Sequence, residues 1–146
     1  MRRTTLNRNI LFLDEDNACL SQIAEAVAKH LNPPKVRIYS AGLAPSTIPA
    51  PVQNVMQELG IKMEGQRAKG IEQIPLHDID LVVSFVDVDK RCPDLAKRTK
   101  IERWALSAAG AQGKGENIRL NDLRERRDEI DKRVWALFRD HWRNVV

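Results

Sequence analysis

The stretch NILFLDEDNACLSQIAE, residues 9–25, decides the reading of this chain. Ile10, Leu11, Phe12 and Leu13 form a short continuous apolar run, the pattern of a strand covered on both faces. A polar stretch from Asp14 to Cys19 follows. Leu20 and Ser21 then open a helical pattern, with Ile23, Val27 and Leu31 recurring four residues apart. A buried strand, a loop of about six residues and a helix N-terminus make the layout of an anion-binding loop. In such a loop the backbone N–H groups and the positive end of the helix dipole converge on one spot.

Outward from this stretch, strand and helix signals alternate. Asn32-Pro33-Pro34 stops the first helix, because proline cannot continue it. Residues 35–40, KVRIYS, read as a second strand, with Val36, Ile38 and Ser40 sharing a face. Pro51 suits the first turn of a helix that places Val52, Val55, Met56 and Leu59 on one side and ends at Gly60. Residues 71–78 read as a short helix or turn, and residues 80–86, DLVVSFV, as a third strand buried on both faces. Residues 87–100 read as a charged loop, 101–106 as a fourth strand and 107–116 as a glycine-rich loop. From Leu120 to the C-terminus, Leu123, Ile130, Val134, Leu137 and Phe138 keep helical spacing. Alternation of this kind predicts an α/β fold: three layers, a four-stranded parallel sheet with helices on both faces, in a single domain spanning residues 1–146. The first loop then lies at the carboxyl end of the sheet, where such folds place ligands.

The wording of these segments closely resembles the low-molecular-weight protein tyrosine phosphatases and their relatives, the thioredoxin-coupled arsenate reductases. Asn17, Cys19, Ser21, Gln22, Ala24 and Glu25 stand in family register, and Ser40-Ala41-Gly42, Pro45, Val55-Met56, residues 58–61 and residues 65–69 extend it. The resemblance implies a thiolate that attacks phosphorus or arsenic, an arginine that holds the oxyanion in a bidentate fork, and a late aspartate that protonates the leaving group. In this chain Asp14 stands at the nucleophile position, Leu20 at the arginine position, and Ala108 near the acid position. Cys92, ahead of Pro93, matches one relay cysteine of the reductases; the other falls near Val86 or Asp87. The expectation is a family frame without the family's usual catalysis, a binding or regulatory pseudoenzyme.

The candidate binding loop comprises Asp14, Glu15, Asp16, Asn17, Ala18, Cys19, Leu20 and Ser21. Attraction of an anion to the helix dipole is worth about 0.3–2 kcal/mol. One carboxylate about 4 Å away opposes it by about 1 kcal/mol in water and about 4 kcal/mol at an effective dielectric near 20. Repulsion wins, so the loop is expected to satisfy its N–H groups with the carboxylate of Asp14 itself. Two other readings of the same residues are a cation site on the clustered acids and an active protein using Asp14 or Cys19 in different chemistry. His30, His77 and His141 are scattered and read as surface or packing residues. Trp104, Trp135 and Trp142 read as core or helix-docking anchors, and residues 124–133 as a solvated helix face.

Composition narrows the classes. The chain has 146 residues, 42% apolar and 30% charged, with a formal charge of +4. Acidic residues are interleaved with the basic ones, which speaks against a nucleic-acid binder. No apolar run approaches the roughly 20 residues that span a bilayer, and the basic N-terminus lacks the apolar core of a signal peptide. No membrane association is expected, and the location expected is cytoplasmic. The two cysteines, Cys19 and Cys92, are expected as free thiols, each with a redox role as the alternative. No cofactor and no metal are expected, and the partner of a binding role would be a protein or a small molecule.

Overall fold

The computed structural model describes residues 8–106 and 120–141. Four strands, β1 (Arg8–Asp14), β2 (Val36–Gly42), β3 (Leu81–Ser84) and β4 (Lys100–Arg103), form one parallel sheet in the order β2-β1-β3-β4. This is the expected architecture. The apolar run places β1 at the centre, because Ile10 through Leu13 are wholly buried and so need cover on both faces. Side chains alternate across a strand. Ile10 and Phe12 accordingly join one apolar cluster, and Leu11 and Leu13 the other.

The first cluster is built with α1 (Leu20–Leu31), α2 (Ala50–Gln57) and α5 (Leu120–His141), which supply Ile23, Val27, Val55, Met56, Ile130 and Val134. The second lies under two single-turn 3₁₀ segments, Ile71–Gln73 and Leu76–Asp78, and under α3 (Val88–Arg91) and α4 (Pro93–Arg98). Asn32 ends α1 in the left-handed conformation, its N–H donating to the Ala28 carbonyl, one residue before Pro33.

Four expectations need correction. Residues 87–100 are not an open loop: Asp87 caps α3 by accepting from the Lys90 N–H at 3.2 Å, and Pro93 opens α4, where its missing N–H costs nothing. Leu59 lies past the last turn of α2 and is 41% exposed. Trp135 falls between the inward-facing Val134 and Leu137 and is 57% exposed, so it anchors nothing in the core. Arg127 does not belong to a solvated face: it is 7% exposed, and its guanidinium donates to the Val55 carbonyl at 2.8 Å and to Glu58 at 2.7 Å. By contrast Trp104 is buried against Phe12 and Phe85. Trp142 lies outside the described residues. Among them, no helix is long and apolar enough to cross a membrane.

Candidate functional site

β1 delivers Asp14 to the carboxyl edge of the sheet, and residues 15–19 turn back into the N-terminus of α1. The turn is made by Asn17, whose φ of 51° lies in the left-handed region that asparagine tolerates. Residues 43–46 run alongside. The amides of Leu43, Ala44 and Ser46 donate to the carbonyls of Asp14, Glu15 and Asp16 at 3.1, 2.7 and 3.0 Å. This side of the loop therefore consumes carbonyls and leaves the N–H groups for the other. The approach is close enough to require Gly42, where an added Cβ would stand 2.7 Å from the Asn17 nitrogen and 2.8 Å from the Asp16 carbonyl carbon.

The N–H groups are answered from within. One carboxylate oxygen of Asp14 accepts from the Asn17 N–H at 2.7 Å, and the other from the Ser21 N–H at 2.9 Å. The Ala18 N–H donates to Asp16 at 3.3 Å. Asp14 is 5% exposed, and burial pushes its carboxyl up from 3.8 to about 6, ahead of the Ser21 and Asn17 hydrogen bonds that lower it. Desolvation thus outweighs the donors, yet at neutral pH the ionised form still predominates by about ten to one.

Glu15 faces away from the cradle. Its carboxylate takes the Arg91 guanidinium in a fork, at 2.7 and 3.3 Å, and Arg91 holds it below the usual carboxylate range. The acidic triplet is therefore not three charges converging on one point. Leu20 is buried in the larger apolar cluster and offers the cradle no donor. Ala18, Cys19 and Ser21 are also buried. The Cys19 thiol is pushed up to about 12, chiefly by burial and then by the charges of Asp14 and Asp16. Burial thus outweighs the helix dipole, which alone would lower the thiol. Cys92 is half-buried between α3 and α4, and both thiols are free. Ala108 lies outside the described residues. His30 and His77 are exposed. Among the described residues, no group of three or more His, Cys, Asp or Glu could hold a metal ion.

A polar cluster behind the loop holds it in shape. Asn17 donates to the hydroxyls of Ser21 and Ser40 at 2.8 and 3.0 Å, and its side-chain oxygen accepts from Gln22 and from the Lys69 N–H, both at 2.8 Å. Ser40 donates to the buried Glu25, which also meets the Lys69 ammonium at 3.5 Å and pairs with Lys29. Gln66 bonds the side-chain oxygen of Gln22 at 2.7 Å. Lys69, Gln66 and Arg91 are contributors that sequence reasoning missed as site residues. The family wording around residues 65–69 was the one available signal for the first two, and nothing marked Arg91.

A strand, a short loop and a helix N-terminus, on a four-stranded parallel sheet of the order β2-β1-β3-β4, make up the frame that carries this site. The chain belongs to the low molecular weight phosphotyrosine protein phosphatase family, whose defining pattern matches residues 9–140. It is similar to an arsenate reductase of Bacillus subtilis (strain 168), 33% identical over 130 residues that cover 88% of this chain and 93% of the relative. Arsenate reductase 2 of Staphylococcus epidermidis is 31% identical over 116 residues, covering 79% and 88%. Among solved structures, an arsenate reductase in the phosphate binding state superposes with a TM-score of 0.75 at 28% identity, covering 90% of this chain and 97% of that one. An arginine phosphatase from Geobacillus stearothermophilus, 20% identical and covering 89% and 90%, shares the fold with a TM-score of 0.70.

Proposed function

We propose that this chain is a family member that has given up the family's usual catalysis and acts as a binding or regulatory protein toward a protein or small-molecule partner. One observation carries the reading: the residue at the nucleophile position is Asp14, and its carboxylate occupies the amides of Asn17 and Ser21 that would otherwise meet an oxyanion. The buried Leu20 supports it, since no guanidinium fork is available there. The raised thiol of Cys19 argues against that residue as a substitute nucleophile.

Residues that act as one catalytic unit cost about 10⁶ in rate when a key member is lost. Hydrolysis of an aryl phosphate and reduction of arsenate should both sit at background. Asp14→Cys with Leu20→Arg should restore binding of phosphate, arsenate or vanadate, and adding Ala108→Asp should return slow turnover. Isothermal titration and a phosphatase assay check this. Turnover by the parent that Asp14→Ala abolishes would replace the reading with a carboxylate-based enzyme. A folded double variant with no oxyanion affinity would mean that the loop is not the cradle.

A further inference from the structure

A cleft of about 330 Å³ opens between the second half of α1 and the residues that follow α2, and none of its walls belongs to the Asp14 loop. A second cleft, of about 240 Å³, shares Ile61, Lys62 and Glu64 with it. The larger volume falls at the lower end of the range that small-ligand sites occupy. Buried Ala26 and Ile61 supply the apolar part of its lining. Past the left-handed Gly60, residues 61–64 alternate: Ile61 and Met63 are buried, Lys62 and Glu64 exposed. Two opposite charges therefore stand on the same side of this short segment. Among the described residues, neither the Lys62 nor the Glu64 side chain makes a hydrogen bond or an ion pair. Two further polar groups of the lining are fixed from within. Lys29 pairs with the buried Glu25, and Gln66 donates to the side-chain oxygen of the buried Gln22 at 2.7 Å. Groups held in place before a ligand arrives lower the ordering cost of binding it.

The charges decide the class of ligand. Glu64, together with the Glu25 that is paired to Lys29, opposes a bare anion, and Lys29 and Lys62 oppose a bare cation. A small molecule carrying both signs finds a partner for each. We propose that this cleft binds a zwitterion of the α-amino-acid class, its carboxylate toward Lys62 and Lys29, its ammonium toward Glu64, and its apolar carbons toward Ala26 and Ile61. The cleft is separate from the Asp14 loop, and the proposal does not rest on the loss of catalysis there.

Calorimetric titration of the full chain with L-leucine and L-glutamine tests this, with isovalerate as the anion-only probe and isoamylamine as the cation-only probe. At least one of the two amino acids should saturate with a Kd of about 1 mM or tighter, and each single-charge probe should bind about 10-fold more weakly. Lys62→Met and Glu64→Gln, both at exposed positions, should each weaken the amino acid by about 10-fold. Glu64→Gln should at the same time strengthen isovalerate, and Lys62→Met should strengthen isoamylamine, because each removes the charge that repels that probe. A loss of fold would not produce such opposite changes. No saturation by either amino acid up to about 10 mM, isovalerate binding as tightly as L-leucine, or affinity unchanged in both variants would each overturn the site. Turnover and oxyanion binding at the Asp14 loop judge the proposed loss of catalysis separately, so either can fail alone.

Discussion

Cys19 sits at the N-cap of α1, where the partial positive charge of the helix end favours a thiolate, yet its thiol is pushed up to about 12. The same position read from sequence invites a reactive cysteine; the apolar cluster around it removes the water that a thiolate needs. In the folded protein at pH 8, a thiol reagent should therefore label Cys92 and leave Cys19 unreacted until denaturant is added. Two equivalents reacting at once without denaturant would contradict this. Asp14 follows the same logic, since burial disfavours its anion as well. Its folded value of about 6 lies above the ordinary 3.8, so the folded state holds the extra proton between those values. Its contribution to stability is fully present below about pH 4 and is lost as pH rises through 6, a change of about 3 kcal/mol. Urea unfolding of the parent and of Asp14→Asn, compared across this window, should show the parent's relative stability falling as pH rises. A relative stability that rises instead would exclude a raised carboxyl.

α5 closes the larger apolar cluster over α1 and α2, and its attachment to α2 is polar as well as apolar. Arg124 and Arg127 both reach Glu58, and together they hold its carboxyl down to about 2. The two arginines are not equivalent. Arg124 is a surface partner of a surface acid, the kind of pair that contributes little. Arg127 is buried and satisfies the Val55 carbonyl, which its removal would leave without that donor. Arg127→Met should therefore cost about 2 kcal/mol in chemical denaturation, and Arg124→Ala distinctly less. Equal losses would assign the stability to the charges and not to the buried carbonyl. Helices α3 and α4 carried local signals, a capping aspartate and a first-turn proline, in a segment whose charge density suggested a loop. Four- and six-residue helices are too short to show a periodicity, which is why the charge pattern prevailed there.

The frame of the whole molecule was legible in the chain because it rests on local pattern. A continuous apolar run must be buried on both faces, so residues 10–13 predict a central strand, and Ile10 to Leu13 are wholly buried in β1. Alternating strand and helix signals predict the parallel order, and the wording from Asn17 to Glu25 carries the family register into which the whole of residues 9–140 falls. The proposed placing of Asp14 and Leu20 at the nucleophile and arginine positions is likewise a reading of the sequence alone. Even the bonds from Asp14 to the amides three and seven residues later lie within reach of such a reading, since a tight turn brings them together. What only the tertiary structure decided are contacts between residues far apart in the chain. Glu15 pairs with Arg91, 76 residues away, and Lys69 bonds Asn17 across 52 residues. Burial of Cys19 and Arg127, and exposure of Trp135, depend on where α5 settles against α1 and α2. Sequence periodicity specifies that a helix has an inner face. Which residue on its margin is desolvated, and which charge loses its water, is settled by the packing of its neighbours.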